Sequence, residues 1–141
     1  MVIPKTIPGL RVATILLAGY VFLWVSLEGD LRRVGLLGVW STVVMTFYLI
    51  QRFLGGRQVS LRVWLVTTSV VGLIIGAGSV LLTLFFMVLK TGIHAHGPEF
   101  IPAEISWVWS QLPWWSLTGL VGGLGIGLVT AAIASMRVAH H

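Results

Sequence analysis

Apolar residues in this chain arrive in long runs, and the polar residues gather between them. Four runs stand out, at about 10–28, 34–50, 63–89 and 114–136. A helix needs about 20 apolar residues to cross a bilayer core, with roughly 17–25 tolerated. The second and fourth runs fit that window. The first, whose bare apolar stretch is 12–27, fits only because Leu10 and Arg11 are counted in, with the Arg11 head reaching back to the interface. The third, 63–89, would be about 40 Å long as a helix against a hydrocarbon core of roughly 30 Å, so it must tilt or project. No A-x-A-like cleavage site follows the first run and its apolar stretch is long, so it reads as a span and not a signal peptide.

The connections carry their own signals. Gly29 and Asp30 suit a helix stop and the N-cap of the next helix, and so short a link makes an antiparallel hairpin. In the second connection, 51–62, Gly55 and Gly56 mark a turn and Ser60 can cap the third span. The third connection, 90–113, is the longest. Gly92 can end the third span, Gly97-Pro98 signals a turn, and Pro102 suits the first position of a short helix with Glu104 in its first turn. There Ile105, Val108, Trp109 and Leu112 recur at helical spacing and predict one apolar face. Glu104, Ser106, Ser110 and Gln111 then point elsewhere, and Pro113 stops the helix. With Trp107, Trp109, Trp114 and Trp115, the segment reads as an interfacial helix at the headgroup level. The expected fold class is all-α: a polytopic integral membrane protein, one domain over 1–141, with four transmembrane helices in a bundle plus one short outer interfacial helix.

Composition agrees. The chain is 57% hydrophobic and 9% charged, with a mean hydropathy of +0.99, whereas soluble domains carry roughly 25% charged residues. The net charge of +5 comes from scattered Lys and Arg beside apolar runs, with no basic stretch, which speaks against nucleic acid. Placing the N-terminus inside puts Lys5, Arg11, Arg52, Arg57, Arg62 and Arg137 on the inner side. Arg32, Arg33 and Lys90 fall outside, with all four acids, Glu28, Asp30, Glu99 and Glu104. That obeys the positive-inside rule, so both termini are expected in the cytoplasm, in a plasma or inner membrane.

Candidate chemistry is sparse. Cys is absent, which excludes disulfides and thiol chemistry. No ionisable residue lies mid-span, which counts against an ion-coupled carrier. Nor is there a nucleophile–base pair, a phosphate-cradling loop or a paired-carboxylate cleft, so the chain does not read as an enzyme. His94 and His96, two apart, can face one side of an extended segment, and with Glu99 and Glu104 they form a candidate divalent-metal set. The competing expectation is that these histidines simply hydrogen-bond in the wet interface. Arg32, Arg33, Trp107, Trp109, Trp114 and Trp115 are candidate lipid-headgroup contacts. Small residues at Gly119, Gly123, Gly127 and Ala131, with Gly72 and Gly76 on the third span, form a glycine-zipper-like set for close helix packing. That set serves contacts within the chain or an interface with another subunit.

The expectation is an accessory or structural subunit of a larger membrane complex, with membrane lipids and other subunits or itself as partners. A metal- or lipid-headgroup-binding protein at the outer loop, and a small oligomeric channel or carrier, are the alternatives.

Overall fold

The structure is a computed structural model that describes residues 2–27, 29–93 and 99–139, with side chains given through Met136. It is all-helical. Five helices follow in order: α1 (Leu10–Ser26), α2 (Leu31–Phe53), α3 (Leu61–Ile93), α4 (Pro102–Ser110) and α5 (Leu112–Ala139). Among the described residues the only extended pairing is an isolated antiparallel bridge between Val2 and Gln58. Three segments are long and apolar enough to cross a membrane: α2, α3, and α4 with α5 taken together to Met136. α1 is apolar but shorter, at 17 residues.

The helices begin and end where local chemistry allows. Asp30 caps α2, its Oδ1 accepting from the Arg32 and Arg33 amides at 2.7 and 3.2 Å. These donors have no partner inside the helix, so the carboxylate satisfies them and faces the positive end of the dipole. Its charge is stabilised by the Arg33 and Arg32 amide bonds, which hold its carboxyl below the usual carboxylate range. α2 therefore starts three residues before the apolar run that announced it. Gly56 makes the turn after α2 at φ +82°, a left-handed conformation that side chains resist. Ser60 Oγ then accepts from the Val63 amide. α3 runs on through Gly92 to Ile93, so this glycine does not end the helix. At 33 residues α3 is about 50 Å long and overreaches a bilayer core of about 30 Å.

Pro113 is a correction to the sequence reading. It lies in the first turn of α5, where its missing N–H costs nothing. Gln111 alone separates α4 from α5 and keeps right-handed helical geometry; its amide bonds the Val108 carbonyl and its own carbonyl accepts from Trp115. α4 thus runs on into α5 across a single residue.

The face of α4 is corrected as well. Val108 is buried and Leu112, Gln111 and Glu104 are half-buried, whereas Ile105 and Trp109 are exposed. The inward face is turned by one step from the one drawn through the most apolar positions. Phe100, just before the helix, is buried and joins Val108 in the core.

The principal contacts run α1 to α2, α2 to α3 and α3 to α5, with α4 resting on α3 and α5. α3 is central. Gly38 and Thr42 of α2 meet Gly78, Ser79 and Thr83 of α3, and a side chain at Gly38 would strike the Ser79 and Thr83 backbone. Nearer the start of α3, Gly72 and Gly76 meet Gly119 and Trp115 of α5 backbone to backbone. α5 makes no contact of comparable extent with α1 or α2, so the helices form an open row instead of a closed bundle. The core sits at one end of that row: Trp24, Val34, Leu37, Val80, Met87, Phe100 and Val108. At the opposite end the N-terminal segment straps onto the α2–α3 connection. Ile3 donates to the Arg57 carbonyl at 3.0 Å, and Gly56 donates to the Ile3 carbonyl at 2.8 Å.

Candidate functional site

Two places in this row hold chemistry beyond helix packing: a buried lysine under α4 and an apolar groove towards the strapped end.

Lys90 lies in the last turn of α3 and is 1% exposed. Its Nζ donates to the Trp24 carbonyl at 3.1 Å and to the Leu27 carbonyl. The same ammonium lies 3.4 Å from Glu99 Oε2 and 4.8 Å from the centre of the Trp24 ring. The last carbonyls of a helix have no intrahelical partner and carry the negative end of its dipole, so a cation there satisfies both. Lys90 thereby ties the end of α1 to α3 and to the segment leading into α4. Phe86 meets the Trp24 ring edge-on at 5.8 Å. Gly29 makes room, because a side chain there would run into the Glu99 carboxylate. The Trp24 Nε1 proton is buried and has no hydrogen-bond partner among the described residues.

The two carboxylates of the candidate metal set are both engaged. Glu99 faces Lys90, and Glu104 Oε2 accepts from the Ile101 amide at 3.0 Å, closing the start of α4. His94 and His96 lie outside the described residues, and no group of three His, Cys, Asp or Glu gathers among those described. Arg32 and Arg33 are exposed beside the α1–α2 link, and the Arg33 carbonyl accepts from the Tyr20 hydroxyl at 3.1 Å. Trp107, Trp109, Trp114 and Trp115 are all exposed, Trp114 the most. Of the small residues, Gly123 lies on the Thr68 carbonyl and Gly72, and Gly127 lies on the Thr68 side chain. Ala131 is half-buried one turn further along α5.

The groove has a volume of about 510 Å³. α3 forms its floor with Trp64, Thr68 and Val71; Phe47 and Ile50 of α2 and Gly122 and Ile126 of α5 are its walls. Ile3, Pro4 and Ile7 of the N-terminal strap close one end. Of its polar side chains all but Thr67 are engaged: Trp64 Nε1 donates to Thr130 Oγ1 at 2.9 Å, and the Thr130 hydroxyl donates to the Ile126 and Gly127 carbonyls. Thr68 likewise bonds the Trp64 and Leu65 carbonyls.

Family models, curated proteins and solved structures give no match to this chain.

The reading of function therefore rests on the geometry. Lys90 went unrecognised in the sequence because a lysine near the end of an apolar run looks like a solvated flank. A signal was present, however. Gly72, Gly76, Ser79, Val80, Thr83, Met87 and Lys90 are the buried positions of α3, and their spacing of three and four residues makes one stripe. Lys90 continues it. Gly38 was also missed, since it has no partner at the four-residue spacing that marks the α5 glycines.

Proposed function

We propose that this chain is a small integral membrane protein that serves as an accessory or structural subunit of a larger membrane complex. In this reading α1, α2, α3 and α5 all cross the bilayer, both termini are cytoplasmic, and α4 holds the opposite interface with its tryptophans. The observation that carries the proposal is the one-sided packing of α5. This helix covers Gly119, Gly123 and Gly127 against α3, yet an added Cβ at Gly125 would meet nothing within 4 Å. A glycine facing lipid offers little contact, whereas it lets another helix backbone approach closely.

The test is purification of the native chain in mild detergent, followed by mass spectrometry of what accompanies it. Wild-type protein is expected to carry defined partner polypeptides or to form a homo-oligomer. Gly125→Leu is expected to release them while leaving the fold intact. A wild type that purifies alone as a monomer overturns the proposal.

A further inference from the structure

We infer that the groove between α2 and α5 holds one acyl chain of an anionic phospholipid, whose headgroup lies against the basic residues at the strapped end.

Three observations carry this. The first is chemical: the groove wall is almost wholly apolar and its Trp64, Thr68 and Thr130 donors are internally satisfied, which leaves a polar ligand little beyond the Thr67 hydroxyl. The groove is open to its surroundings, and in a bilayer an open apolar groove meets lipid tails as apolar as its own lining. The second is size. At about 510 Å³ the groove far exceeds the roughly 10–15 Å³ that one water needs by this measure, and so has room for an acyl chain.

The third is charge. Lys5 lies within the strap whose Ile3, Pro4 and Ile7 close the groove, and its stem packs on Gly56. The Arg57 carbonyl holds Ile3, and Arg62 stands two residues before Trp64. All three side chains are exposed, and the acidic residues described, Asp30, Glu99 and Glu104, belong to the segments at the α4 end. The strapped end is therefore basic beside the groove, which favours an anionic headgroup over a zwitterionic one. The inference goes beyond the subunit reading and does not depend on it, because the uncovered Gly125 is not among the groove residues.

The experiment is native mass spectrometry of the full chain in detergent, titrated separately with phosphatidylglycerol and phosphatidylcholine of the same acyl length. One phosphatidylglycerol is expected to stay with each chain, retained at least about tenfold better than phosphatidylcholine. Gly122→Leu projects into the groove without a clash, since nothing lies within 4 Å of its Cβ. It is expected to weaken retention of both lipids by about tenfold. Ile126→Trp carries the same test should Gly122→Leu fail to fold. The triple variant Lys5→Gln/Arg57→Gln/Arg62→Gln is expected to keep a lipid but lose the preference. Undiminished retention in both filled variants, no preference in the wild type, or no retained lipid at all would each overturn the inference.

Discussion

At the scale of single residues, Lys90 does most to fix the end of the row under α4. Removing one member of a buried charge pair leaves the other uncompensated, which costs about 3–5 kcal/mol. Glu99 keeps a side-chain exposure of 19%, so Lys90→Met is expected near the lower figure, about 3 kcal/mol. Unfolding by denaturing detergent should show that loss, and Lys90→Met/Glu99→Gln should recover part of it. Asp30 acts at the same end through its charge. Its folded carboxyl lies below the ordinary range because the Arg33 and Arg32 amides bond the ionised form. A depressed folded value means the contribution is complete above the ordinary carboxylate range and is lost as pH falls through the folded value. An acid titration of helix content should therefore show a loss below the ordinary carboxylate range that Asp30→Ala lacks.

At the scale of elements, the α3–α5 contact depends on bare backbone. Gly123→Leu would force the two helices apart, because a Cβ there already meets the Thr68 carbonyl and Gly72. Overpacking of this kind typically costs about 1–3 kcal/mol, and a lowered thermal midpoint in detergent would register it. The glycine spacing along α5 was open to sequence reasoning because a period of four marks one helical face. So were the Asp30 cap and the Gly56 turn, whose residue types have few other uses. The inward face of α4 was not. Its most apolar residues, Ile105 and Trp109, are exposed, since in a membrane protein the outward surface is as apolar as the interior and polarity no longer marks a side. Pro113 misled for a related reason: a proline stops one helix and starts another equally well, and only the Gln111 geometry separates these outcomes.

For the whole molecule, the arrangement of the ends is the accessible test. The strap bonds the N-terminal segment to the α2–α3 connection, and Trp64 near the start of α3 meets Thr130 towards the end of α5. Both therefore belong at the face opposite α4. With no native cysteine to interfere, Gln58→Cys should react with a membrane-impermeant thiol reagent only from the cytoplasmic side, and Ser106→Cys only from the other. Labelling of both from one side would rule out the four-span, N-inside topology. An open row was beyond the reach of the sequence, because short connections fix which helices follow one another and not whether the last returns to the first.

The hydrophobic cluster beneath α4 has a mechanical consequence. Stiffness is graded along the helices: one half is clamped by packed aromatics and Lys90, and the other is joined by glycine contacts and the N-terminal strap. A bilayer pressing unequally on the two halves is therefore expected to move α2 against α5 at the strapped end before it disturbs the clamped end.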